Sequence, residues 1–222
     1  MKVRILMTTS KLKYLACIFM VLDHLGFFFQ DLPYYFLLRG IGRLSAPIFF
    51  FCFVEGYNHT HNKNVYKKRL LHSSFIMCYI NFIMLFLFKI IQHPLPQTIN
   101  LLTPNMFFTF YVMFQILDGI DTKNYKKLFF TIFIPFMEYN YFACISILIF
   151  NYVKQKRIQL LLFIFLNSIL CLLLNNFLQI CMIGSVIFLY FYNEERGKYS
   201  TTFFYIFYPL HFYLIAIFKL FL

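Results

Sequence analysis

The chain has 222 residues, 61% of them hydrophobic and only 13% charged, where soluble domains carry about a quarter charged residues. That balance excludes an ordinary soluble globular domain and points to a membrane protein. The net charge of +12 does not lead to nucleic acid, because the basic residues fall in short clusters between apolar runs, as cytoplasmic loops do.

Lys2, Arg4, Lys11 and Lys13 precede the first apolar run, 14–30. This start imitates a signal peptide. Asp23 and His24 interrupt its apolar stretch, however, and no small-x-small site follows, so the run reads as an uncleaved first span. Further apolar segments follow at 44–58, 70–91, 105–120, 128–153, 158–174, 177–192 and 201–222. Between them lie basic clusters at 63–69, 123–127, 154–157 and 196–198, while the 92–104 loop has no Lys or Arg and suits the outer face. All the clusters fall on the cytoplasmic side only if 128–153 crosses twice, with a turn near Glu138-Tyr139-Asn140. Pro135 just before that turn supports a break. The two halves would be short segments buried against their neighbours, with Glu138 at the tip.

The expectation is an all-α polytopic integral membrane helix bundle of about eight or nine segments. It is a single membrane-embedded domain over 1–222 without an internal repeat, its N-terminus cytoplasmic and its C-terminus outside. The abundance of Phe, Tyr, Ile, Lys and Asn matches an AT-rich bacterial genome, and hence a bacterial cytoplasmic membrane. The six cysteines all lie in apolar runs without a CxxC spacing and read as small buried hydrophobes.

Against that background stand Asp23, His24, Arg39, Arg43, Glu55, Glu138 and His211. Ionisable groups at membrane depth are costly and mark function by default. Carboxylates and imidazoles together are the groups of proton transfer and general-base catalysis. His24 is the candidate base. Adjacent helical residues point about 100° apart, so Asp23 is no automatic partner for it, and Glu55 or Glu138 are equally able. Asp23 could instead pair with Arg39 or Arg43. These two arginines at i,i+4 share a helix face, in a backbone that Gly40 and Gly42 would bend. They could hold a carboxylate, phosphate or thioester oxygen, or simply anchor the span at the interface. His59 and His61 make a weak metal pattern and suit a solvated loop, so no metal site is expected. Arg69 carries the topology signal and would also suit an anionic cofactor arriving from the cytoplasm. Pro209 should kink the last segment and set His211 at the kink, as part of a site or as core filling.

In order, these strings resemble the TraX family: Asp23-His24-Leu25-Gly26, then Arg39-Gly40-Ile41-Gly42-Arg43-Leu44, then Glu55-Gly56-Tyr57 with His59-Thr60, and Tyr66 through Arg69-Leu70. Glu138-Tyr139 and the closing Phe204-Tyr205-Ile206-Phe207-Tyr208-Pro209-Leu210-His211 continue the resemblance over nearly the whole chain. At Asn140 the family more often has glycine. The family is named for a conjugation protein that acetylates the pilin N-terminus with acetyl-CoA. The resemblance therefore implies a membrane acyltransferase with acetyl-CoA as donor. Its acceptor would be an amine or hydroxyl, such as the N-terminus of a pilin-like or exported peptide. His24 would be the base, oriented by Asp23, Glu55 or Glu138, with His211 in the catalytic set. Arg39, Arg43, Arg69 and Tyr208 would hold the donor. Two other classes compete on the same residues: a proton-coupled transporter, and a non-catalytic component of a conjugation or export system.

Overall fold

Thr8 opens the chain's first helix. Its backbone is extended and its hydroxyl accepts from the amide of Lys11, an N-cap that lets α1 run from Thr9 to Phe28. The computed structural model describes residues 7–91, 105–198 and 200–220. Lys2, Arg4 and the 92–104 loop lie outside these residues. After α1 come α2 (Tyr35–Gly42), α3 (Ser45–His59), α4 (Lys63–Ile91) and α5 (Met106–Asp121). A 3-10 segment follows at Tyr125–Phe136, then α6 (Asn140–Tyr152), α7 (Lys156–Leu174), α8 (Phe177–Cys181), α9 (Ser185–Tyr190) and α10 (Thr201–Leu220).

Among the described residues the chain is helical, and four stretches are long and apolar enough to cross a bilayer: Tyr35–His59, Lys63–Phe86, Lys156–Leu174 and Thr202–Lys219. Counting apolar runs in the sequence suggests eight or nine. The difference has physical causes. With its 20 residues, α1 has the length to span, yet it carries Lys11, Lys13 and Asp23. At 16 and 13 residues, α5 and α6 fall short of a full crossing.

The contacts divide the chain into two compact units, Met1–Glu55 with Leu148–Leu222, and Gly56–Ile147. In the first unit, residues 7–10 run alongside 191–196. The amide of Met7 donates to Phe191 O (3.0 Å), Thr9 to Glu195 O (2.9 Å) and Ser10 to Arg196 O (3.0 Å). Gly197 makes this approach possible: its φ is +69°, and a Cβ there would fall on the hydroxyls of Ser10 and Thr8. Lys156 Nζ donates to Tyr192 O at 2.7 Å and brings the start of α7 to the same place. The basic residues at Lys11 and Lys13, at 154–157 and at 196–198 thus share one end of the unit. The other end holds the loop after α1 and the close of α10, where Lys219 meets Asp31 at 3.6 Å and Phe218 packs on Phe29.

The second unit treats its own basic clusters alike. Lys63 lies 3.9 Å over the Tyr57 ring, whose hydroxyl donates to Asp121 at the close of α5. Lys127 binds Asp118 at 2.7 Å. The stretch 128–153 is indeed broken. Tyr139 and Asn140 take left-handed backbone (φ 62° and 44°), and the Glu138 amide donates to Thr109 Oγ1 at 2.9 Å near the start of α5. Asparagine tolerates that conformation. The two halves differ from expectation in burial. In α6, Ala143, Ser146, Ile147 and Phe150 are buried, but the 3-10 segment buries none of its residues and turns Phe129, Ile132 and Phe136 outward.

Candidate functional site

Near the end of α1, Asp23 and His24 turn to different neighbours, as their 100° separation requires. Asp23 faces α2. Two glycines allow that helix to come close. A Cβ on Gly42 would overlap the backbone of Asp23, and one on Gly26 would lie 2.8 Å from Tyr35 O and 2.9 Å from Leu38 Cβ. Such small residues let helix backbones approach each other in a membrane. Neither Gly40 nor Gly42 bends the backbone. Both lie within α2, and the break follows at Arg43-Leu44.

The close approach delivers both arginines of the i,i+4 pair to one carboxylate. Arg39 Nη1 donates to Asp23 Oδ2 at 2.8 Å and to the Asp23 carbonyl at 3.3 Å. Arg43 Nε lies 3.7 Å from Asp23 Oδ1. The three side chains are only 14–19% exposed, so this is a largely desolvated cluster of two cations and one anion. The Arg39 guanidinium also covers the Phe27 ring at 5.3 Å.

His24 faces α10. Its Nδ1 is 2.7 Å from His211 Nε2, and His211 Nδ1 is 2.8 Å from the carbonyl of Phe207, one turn earlier in the same helix. Pro209 lies between these two residues and has no N–H to offer Tyr205 O. Phe212 meets the His24 ring edge-on at 5.0 Å, and Phe207 stacks on His211 at 5.0 Å. Tyr208 lies edge-on to His211, 6.1 Å between centroids.

Glu55 is elsewhere. It accepts from the Tyr192 hydroxyl at 2.5 Å, and that hydroxyl is 3.0 Å from Thr9 Oγ1, at the basic end of the unit. Fifteen residues of α1 separate Thr9 from His24, about 22 Å along the axis, so Glu55 does not orient His24. Burial first, and then the hydrogen bond to Glu55, raise the pKa of the Tyr192 phenol. Glu138 and Arg69 belong to the second unit. Glu138 is half-buried in the turn held by Thr109, and Arg69 is exposed on α4. His59 and His61 are exposed at the close of α3 and in the bend after it. Sequence reasoning missed Tyr192 and Thr9 entirely. The sequence signal for the crossing is the spacing of Gly26 from Asp23 and of Gly42 from Arg39, three residues in each case.

These features define an all-helical protein of membrane type, with paired ionisable groups inside its helix packing. The chain belongs to the TraX family: the family model described as TraX protein matches residues 8–219, nearly its whole length. No curated protein and no solved structure matches it.

Proposed function

We propose that the protein is a membrane acyltransferase that moves an acyl group, acetyl in the first instance, from acyl-CoA to an amine or hydroxyl acceptor. The observation that carries this reading is the adjacency, on one turn of α1, of an imidazole and a carboxylate–bis-guanidinium cluster. Two guanidiniums against one carboxylate leave an excess positive charge, which suits the anionic donor and the negative charge that develops on an acyl oxygen. Bound there, the thioester would supply an activated acyl group. His24 takes the proton of the attacking amine or hydroxyl. Arg39 and Arg43 hold the developing negative charge, and Asp23 keeps both guanidiniums in position. Under the positive-inside rule the basic end of the first unit faces the cytoplasm, so α1 starts inside and His24 lies towards the outer half of its helix. The membrane is then the bacterial cytoplasmic one, and the acceptor a pilin-like or other exported peptide.

The test is release of free thiol from acetyl-CoA by the purified protein, offered peptides with free N-termini and small hydroxylated acceptors. His24→Ala is expected to lower turnover by roughly 100-fold or more. Unchanged turnover would remove His24 from the mechanism. Acetyl-CoA left intact with every acceptor, together with proton-driven solute flux in proteoliposomes, would favour a transporter, for which the His24–His211 pair is an apt relay.

A further inference from the structure

The Phe207 carbonyl has no proton to give, so the 2.8 Å contact at its oxygen is a donation from His211 Nδ1–H. In a neutral His211 the other nitrogen, Nε2, is then the acceptor. The 2.7 Å contact to His24 must run from His24 Nδ1–H into that lone pair. The remaining nitrogen of a neutral His24, Nε2, is left with its lone pair outside the chain of hydrogen bonds. We infer that Phe207 O and His211 together form a tautomer lock, which makes His211 a positioning residue that fixes His24 as the Nδ1–H form and presents Nε2 as the base.

The backbone gives this lock its rigidity. Phe207 and His211 are one turn apart on α10, His211 is 6% exposed, and Pro209 is buried between them. The lock is also uncharged. Asp23 is the neighbouring carboxylate on α1, and it is engaged by Arg39 at 2.8 Å, so the group behind His24 is a neutral ring backed by a carbonyl. A carboxylate in that place would stabilise the imidazolium more strongly and tend to hold the proton. A neutral acceptor supports the cation during transfer and lets the proton go afterwards.

In the acyl-transfer reading, on which the kinetic part of this inference rests, the N–H or O–H bond of the acceptor breaks and its proton goes to His24 Nε2. The new C–N or C–O bond forms as the C–S bond breaks. The electron pair leaves with sulfur, and the thiolate takes up the Nε2 proton.

Two measurements test the lock. The first uses no turnover: 15N-histidine spectra of the full chain in lipid bilayers, with the His24 signals identified by their loss in His24→Gln. Wild type should show a protonated, pyrrole-like Nδ1 and a pyridine-like Nε2 at His24. In His211→Phe, which keeps an aromatic ring but no acceptor, that assignment should reverse or become mixed. The second is CoA release. His211→Phe should lose roughly 100-fold in kcat with the KM for acetyl-CoA changed less than about threefold. His211→Gln, which retains an acceptor and a donor on one planar group, should recover most of the lost rate. Unaltered His24 signals in His211→Phe, or equal losses in the two variants, would overturn the inference. If the wild-type protein turns over no acceptor, the acyl-transfer reading falls, and the spectra still decide the lock.

Discussion

Asp23 and Glu55 are both carboxylates on helices of the first unit, and they sit in different surroundings. Asp23 lies within the helix packing against two guanidiniums, 14% exposed and far along α1 from the basic end. Glu55 sits at that basic end and is held by two hydroxyl residues, Tyr192 directly and Thr9 through it. Charge inside the packing needs countercharge. At the rim Glu55 lies within the field of Lys156, and the Tyr192 phenol adds a hydrogen bond to it. The difference suggests that Asp23 maintains a desolvated electrostatic centre, while Glu55 fastens α3 to the segment that precedes α10.

The comparison breaks most readily at Asp23. Asp23→Asn leaves two guanidiniums facing each other across a neutral amide, and breaking a buried pair in this way costs about 3 kcal/mol or more. Thermal unfolding in detergent should show a large fall in Tm, whereas Glu55→Gln, which keeps an acceptor for Tyr192, should shift it little. Equal shifts would erase the distinction between the two carboxylates. Gly42→Ala probes the same centre through shape alone. Its Cβ would collide with the Asp23 backbone, so α2 must move away, at roughly 1–3 kcal/mol for overpacking. A variant as stable as wild type would mean that the crossing is looser than described.

The smallest effect belongs to the rim. Tyr192→Phe removes the hydroxyl from Glu55 and Thr9 and should cost about 1–2 kcal/mol. Its pH dependence sharpens the assignment. Because the folded phenol holds its proton more tightly than the unfolded one, its contribution is fully present below the unfolded value of about 10. That contribution declines as pH rises above this value, since the folded state then binds more protons than the unfolded state. Stability followed through the alkaline range should therefore fall less steeply in Tyr192→Phe than in wild type.

Most of the long helices were legible from the sequence because apolar runs are punctuated by lysine clusters, but α2 was not, since its Gly40 and Gly42 read as a bend. The break at Glu138-Tyr139-Asn140 was legible from charge parity together with Pro135. Asp23, His24, Arg39 and Arg43 could be singled out by the unfavourable energy of burying them. Their pairing could not, since it depends on which way α1 rotates against α2 and α10, and that rotation is set by Gly26 and Gly42. Tyr192 escaped notice because a tyrosine at a membrane boundary is ordinary. Its role appears only when residues 7–10 are seen lying beside 191–196.

That long-range closure bears on how the protein is made. Asp23 meets Arg39 across 16 residues, so α1 and α2 can neutralise their charges as soon as the pair has been synthesised. His24 waits for a partner 187 residues later, which at ordinary elongation rates of about 5–20 residues per second is a delay of roughly 10–40 seconds. Until α10 arrives, His24 lacks the His211 ring that the proposed tautomer lock requires. A nascent chain therefore acquires its ion cluster early and its His24–His211 contact only when α10 arrives.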